Sequence, residues 1–271
     1  MKTIPAPTRI MGILNVTPDS FSDGGAYLDV DAAVAHAEAM IQQGATIVDV
    51  GGESTRPGAT PVGAKTERKR VVPVVRELVA RGIPVSVDTR TARVAVAAVE
   101  AGAELINDVS GGLSDLDMPR VVAETGVLYA VMHWRDGGAD AAPRYTSVVT
   151  EVRRELTHRL AHLIVEGVKP EQLIVDPGIG FGKTAEQNWQ LLGHLSQFAS
   201  LGHGVLIGAS RKRFLGALLP DDASIEERDA PTAVISALAA RSGAWGVRVH
   251  DVAATRRALD VWDHWQLGAI S

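Results

Sequence analysis

The chain has 271 residues, 46% of them hydrophobic and 22% charged, with 27 basic and 32 acidic side chains and a formal net charge of −5. That length fits two ordinary domains or one large α/β domain, and the composition supports a large core and excludes wholesale disorder. The acidic balance leaves no footprint for nucleic acid, and the absence of Cys removes disulfides, thiolate metal sites and cysteine nucleophiles.

The first element is an apolar run at 9–16; with the residues before it, "MKTIPAPTRIMGILNV", it makes a poor signal peptide, interrupted by two prolines and Arg9. It runs into "NVTPDSFSDGG", Asn15 to Gly25, far longer than the two to six residues of an ordinary turn. A helical pattern follows at 31–43, then a strand at 46–51 ending in Glu53-Ser54-Thr55-Arg56. A helix at 64–81 carries the only dense basic run, Glu67-Arg68-Lys69-Arg70, which reads as a solvated face. Next come a strand at 84–89 with Asp88, a helix at 91–101, and a strand at 105–109 with Asn107-Asp108. A helix at 118–124 leads to a strand at 128–134 holding His133, and a helix at 146–166 to a strand at 173–176 closing on Asp176. A helix at 185–200 precedes a strand at 204–209, followed by Ser210-Arg211-Lys212 and helices at 211–219 and 230–240. The last strand, 246–250, carries Arg248 and His250 and enters a helix at 252–265. Gly44, Gly82, Gly102, Gly126 and Gly167 each stand where a helix should stop. No window approaches the roughly 20 apolar residues of a membrane span, so a soluble, cytoplasmic protein is expected.

Eight nearly continuous apolar strands alternating with helices in about 250 residues match a single-domain α/β chain, residues 1–271, folded as a (β/α)8 TIM barrel. A doubly wound open sheet is the alternative, and the count favours the barrel. Every strand has a polar group at its C-terminal end, where this fold carries its chemistry. Asp88 alone could be a helix cap; eight such ends together indicate a site. Asp88, Asn107 and Asp176 suit a ligand that offers adjacent N–H donors, because a buried carboxylate without a partner is costly. Lys212, Arg248 and His250 come from the last two strands, where barrels often hold a phosphate, and "GASRKRFLG" opens a helix that would favour an anion.

Three tempting patterns fail. "PGIGFGKT" has Pro177 where a phosphate loop needs Gly, and "GASRK" has Lys212 where a nucleophile elbow needs Gly. His158 and His162 are spaced for zinc on a helix, but the glutamate of that motif is missing, and they read as solvent-side residues.

"MGILNVTPDSFSDGG", "VDVGGESTRPGA", "SVDT", "INDVSGG", "VDPGIGFGKT", "GASRKRFLG" and "GVRVHDV", spread from Met11 to Val252, together resemble the dihydropteroate synthases in order and spacing. The resemblance implies condensation of p-aminobenzoate with hydroxymethyl-dihydropterin pyrophosphate, with Mg²⁺ accompanying the pyrophosphate, sulfonamides competing for the p-aminobenzoate position, and a homodimer. It implies that Asp88, Asn107, Met132, Asp176 and Lys212 hold the pterin. Asn15, Arg248 and His250 would hold pyrophosphate, with Asn15 also a Mg²⁺ ligand. Thr55, Arg56, Pro57, Phe181, Ser210 and Lys212 would shape the p-aminobenzoate pocket. The segment after His133, "WRDGGADAAPRY", departs from the Met-x-Gly-x-Pro run of many members.

A neutral arylamine is a weak nucleophile, so the load falls on the leaving group. Mg²⁺, Arg248, His250 and a helix N-terminus would stabilise it, along an SN1-like path assisted by Lys212. Asp23 would swing over the developing cation, and the second loop, "STRPGATPVGA", would close from the other side. Two rival readings remain. A pterin-dependent methyltransferase has no need of a pyrophosphate site. A catalytically silent pterin-binding paralogue is expected to have lost Asn15, Lys212 or Arg248, and all three are present.

Overall fold

The computed structural model describes residues 7–17, 30–53, 62–135 and 145–270. Asp23, Thr55, Arg56 and Pro57 lie outside the described residues, as does most of the segment after His133. The elements run β1 (Arg9–Asn15), α1 (Val30–Gln42), β2 (Ile47–Gly51), α2 (Ala64–Ala80), β3 (Val85–Asp88), α3 (Ala92–Glu100), β4 (Leu105–Asp108), α4 (Met118–Thr125) and β5 (Leu128–Met132). They continue with α5 (Val148–Val165), β6 (Leu173–Asp176), α6 (Ala185–Gly193), α7 (Leu195–Ala199), β7 (Gly204–Ile207), α8 (Asp229–Arg241), β8 (Gly246–Val249) and α9 (Val252–Ile270). The eight strands close in sequence order into a parallel barrel, β8 pairing β1 through Arg9↔Gly246 to Gly12↔Val249. All eight strands fall where the sequence predicts them: β6 has the expected bounds and the other seven are shorter by one or two residues.

Successive side chains of a strand point to opposite faces. Here both faces are buried, for different purposes. Val48, Val50, Val85, Val87, Ile106, Val175 and Val247 face outward and join the large core built with Val71, Val75, Leu78, Leu156 and Leu163 of the helices. The alternate residues Met11, Ile47, Leu105, Ala130, Ile174 and Leu206 form a separate cluster inside the barrel. This filled floor is why the strands read as unbroken apolar runs rather than as alternating ones.

The five predicted helix-stop glycines all have positive φ, as a C-terminal cap requires. Three expectations change. The helix expected at 185–200 is broken at His194, whose ring Nδ1 donates to the Gln190 carbonyl at 2.7 Å, the acceptor the next helical N–H would have used. The helix expected at 211–219 is a six-residue 3-10 segment, Arg213–Leu218; Arg211 sits at φ 56, which an α-helix cannot contain. Finally, the basic run on α2 is not wholly solvated. Glu67 is buried, and Arg70 donates to the Gly52 carbonyl at 2.9 Å.

Candidate active site

Two residues beyond the apolar floor, the inward positions become polar. Asp49 follows Ile47, Asn107 follows Leu105, Asp176 follows Ile174 and Arg248 follows Gly246. These groups are cross-linked. Asp49, fully buried, accepts from Ser86 Oγ at 2.6 Å, Asn107 Nδ2 at 3.0 Å and Arg248 Nε at 2.6 Å. Arg248 Nη2 donates to Asp88 Oδ2 at 2.8 Å. Asp88 is therefore not a helix cap; Thr91 occupies that position on α3. Burial pushes Asp88 up to about 7, against the pull of Arg248 and with the push of Asp49.

Across the mouth, Asp176 is buried, and its Oδ1 accepts the Gly178 N–H at 2.7 Å. Burial raises its pKa; Lys212 pulls it back. Lys212 is lowered to about 8 by its own burial, Asp176 working in the opposite sense. Its Nζ donates to the Ile179 carbonyl and lies 4.3 Å from the centre of the Phe181 ring, a cation–π contact. Met132 is buried beside this layer, its Cα paired with that of Asp176.

The loops after β7 and β8 are latched. His250 N–H donates to Ser210 Oγ at 3.1 Å, and Ser210 Oγ meets His250 Nδ1 at 2.9 Å. The helix N-terminus in this quarter is that of α9, where Asp251 accepts the Ala254 N–H at 2.8 Å, rather than one opened by "GASRKRFLG".

At β1, a Cβ built on Gly51 would lie 3.6 Å from Asn15 Oδ1 and 3.9 Å from Asp88 Oδ2. The glycine thus leaves a space bordered by an amide oxygen and a carboxylate. Those are hard oxygen donors of the kind Mg²⁺ accepts, and Mg²⁺ commonly takes only one or two protein ligands beside waters and substrate phosphates. Among the described residues no group of three His, Cys, Asp or Glu could hold a metal ion. His158 and His162 are exposed on α5.

Of the predicted residues, Asn15, Asp88, Asn107, Met132, Asp176, Phe181, Ser210, Lys212, Arg248 and His250 all lie at the C-terminal rim of the strands or in the loops that follow. Sequence reading missed Asp49 and Ser86. The available signal was an acid inside "IVDVG", the one charge in a wholly buried strand. It also missed Lys183, whose Nζ donates to the carbonyls of Gly178 at 2.9 Å and Phe181 at 3.1 Å. No helix among the described residues is long and apolar enough to cross a membrane.

Residues 11–250 match the family model described as pterin binding enzyme. The dihydropteroate synthase of Mycobacterium leprae is 53% identical over 267 residues, covering 96% of this chain and 94% of its own. A solved Xanthomonas albilineans dihydropteroate synthase with 4-aminobenzoic acid superposes with a TM-score of 0.90 at 46% identity, over 96% of this chain and 93% of that one. A Yersinia pestis dihydropteroate synthase with a sulfonamide drug complex gives 0.89 at 39% identity, over 96% and 94%.

Proposed function

We infer this chain's chemistry from one premise: it belongs to the dihydropteroate synthase family. It joins p-aminobenzoate to hydroxymethyl-dihydropterin pyrophosphate, releasing dihydropteroate and pyrophosphate. One observation carries the assignment to these residues: buried Asp88, Asn107 and Asp176 converge with Lys212 and Arg248 at one end of a closed barrel.

Asp176 takes the ring N–H and exocyclic amine of the pterin. Its support is burial with no side-chain cation in hydrogen-bond contact among the described residues, which leaves a carboxylate suited to a donor-rich edge. Asn107 and Asp88 complete that recognition, with Met132 packing on the ring. Arg248 differs from the expectation of a simple phosphate clamp. It is already tied to Asp49 and Asp88, so it acts from a preorganised position and keeps two carboxylates in place. His250, held by Ser210, stands at the pyrophosphate side with it. Asn15 is the group that would hold Mg²⁺, its Oδ1 facing the space that Gly51 leaves open. When bound, that ion neutralises charge on the leaving pyrophosphate.

The bond from the pterin methylene to the pyrophosphate oxygen breaks first; the electron pair leaves with pyrophosphate. The methylene cation is delocalised into the ring, over a layer whose carboxylates favour positive charge. The p-aminobenzoate nitrogen then attacks, and its proton passes to water. Fixed charges at a leaving group supply roughly 3–4 kcal/mol per preorganised donor. Phe181, Ser210 and Lys212 form the described part of the amine pocket, where sulfonamides compete.

An exposed apolar face, Val234 and Leu238 on α8 with Val261 and Trp265 on α9, supports the homodimer. The deciding experiment is a coupled pyrophosphate assay with and without p-aminobenzoate and Mg²⁺. Sustained release dependent on both is expected, since each turnover ends only when the amine takes up the cation. Methyl transfer from a folate donor with no pyrophosphate release would favour the methyltransferase, and pterin binding without turnover the silent paralogue.

A further inference from the structure

The segment "PGIGFGKT" fails as a phosphate loop, yet it ends in a lysine whose ammonium is wholly committed. Lys183 Nζ has three hydrogens and three acceptors: Gly178 O at 2.9 Å, Phe181 O at 3.1 Å and His133 Nδ1 at 3.3 Å. Burial, opposed by Asp176 and assisted by Lys212, lowers its pKa to about 7.

The third acceptor fixes a tautomer. If Nδ1 accepts from an ammonium, the ring proton sits on Nε2, and that N–H donates to Glu155 Oε2 at 2.9 Å. Burial and Lys183 lower His133 to about 4, which keeps the ring neutral and the lone pair available. Glu155 is held in turn by Arg135, whose Nε donates to Oε2 at 2.9 Å and whose Nη2 donates to Glu151 at 2.8 Å. A continuous chain of polar contacts therefore runs from α5, through the end of β5, into the loop after β6.

That loop is built to be gripped. Gly178 and Gly180 have φ of 71 and 79, a region other residues rarely adopt. A Cβ at Gly178 would collide with the His133 carbonyl oxygen, and one at Gly180 with the Lys212 stem. The two lysines divide the carbonyls: Lys183 takes those of residues 178 and 181, Lys212 that of 179. Phe181 is thereby pinned by its own carbonyl from one side while its ring lies against Lys212 on the other.

We propose that Lys183, seated on His133, is a positioning residue for the amine pocket: it locks the 178–182 loop so that Phe181 and Lys212 present a preformed face to the arylamine. The proposal rests on the reading of the reaction given above. Lys183 touches neither substrate, and its effect passes through Phe181 and the loop backbone.

Lys183→Met keeps the unbranched stem to the ε position and removes all three N–H donors. Donors on a charged group are worth more than neutral ones, so the KM for p-aminobenzoate rises about tenfold or more. The KM for the pterin pyrophosphate rises less, because Asn107 and Asp88 are held by Asp49 and Arg248, outside the loop. Phe181→Ala combined with Lys183→Met is no worse than Phe181→Ala alone, since both act on one element. His133→Asn, which keeps an acceptor near the Nδ1 position, is milder than His133→Leu, and this pair carries the test if Lys183→Met does not fold. Amide hydrogen exchange over residues 177–184 speeds up in Lys183→Met while the barrel strands stay protected. Equal rises in both KM values, full additivity with Phe181→Ala, or unchanged exchange in the loop would each overturn the proposal. A wild-type protein that released no pyrophosphate would overturn the assigned reaction instead, and the exchange measurement would still decide the role of Lys183.

Discussion

The two ends of the barrel interior are lined by the same strands and behave as different materials. At one end Met11, Ile47, Leu105, Ala130, Ile174 and Leu206 fill the lumen with hydrocarbon. One inward position further along, Asp49, Asn107, Asp176 and Arg248 fill it with charge and amide. A strand repeats every two residues, so a step of about 7 Å takes the chain from packing to chemistry. The floor holds the strands at fixed spacing without polar groups to satisfy. The upper layer tolerates buried carboxylates because Arg248, Ser86 and Asn107 bind them across strands. Rigid apolar packing at one end is what makes preorganised charge possible at the other.

The comparison breaks most severely at Arg248. Arg248→Met leaves Asp49 and Asp88 without their cation, and removing one partner of a buried pair costs about 3–5 kcal/mol. Urea unfolding measures that loss, and Asp49→Asn in the same chain should recover part of it. No recovery would mean that the two groups are not energetically coupled. In the floor, Leu206→Ala removes a fully buried side chain and should cost about 2–5 kcal/mol of stability while kcat/KM stays within about threefold at a permissive temperature. A large activity loss in the folded variant would show that floor and mouth are not separable. Asp176→Asn is the converse: calorimetric pterin affinity falls roughly 100-fold with little change in unfolding, because Asn can still accept the Gly178 N–H. Undiminished affinity would remove Asp176 from the pterin site.

The smallest effect is one of pH. His133 is held neutral, with its pKa lowered to about 4 from 6.5, chiefly by burial. The unfolded chain takes up that proton first, so this group costs stability as pH falls from 6.5 towards 4, about 1 kcal/mol by pH 5.5. Glu155 works in a lower window. Arg135 lowers its pKa to about 2, so its stabilisation is complete above 4.5 and is lost as pH falls below that. His133→Gln should flatten the stability profile between pH 6.5 and 4 only; parallel wild-type and variant profiles there would show that the ring is not held neutral.

Much of this molecule is legible in one dimension. Strand count, helix-stop glycines and polar strand ends depend on local pattern, and local pattern is what parallel strands and helix caps require. The barrel, its rim and residues such as Asp176 follow from that alone. Asp49 did not, because its meaning lies in Arg248, 199 residues away, and a lone acid in a buried strand has no sequence partner to point to it. The helix expected after Ser210 failed for a related reason. Its residues suit a helix, but Arg211 turns left-handed so that its N–H can reach Thr232 Oγ1 at 3.2 Å and its guanidinium can reach Asp229 at 2.7 Å.

The sequence by itself determined the closed eightfold repeat and the set of side chains able to meet at its rim, since both depend on periodicity and on residue type at strand ends. Only the tertiary structure decided which of those groups are already spent on one another. Arg248 is given to Asp49 and Asp88, Lys183 to a loop and a histidine, and Lys212 to a carbonyl and a ring. Such pairing depends on distances of about 3 Å between residues far apart in the chain, and no local pattern encodes a distance across a barrel.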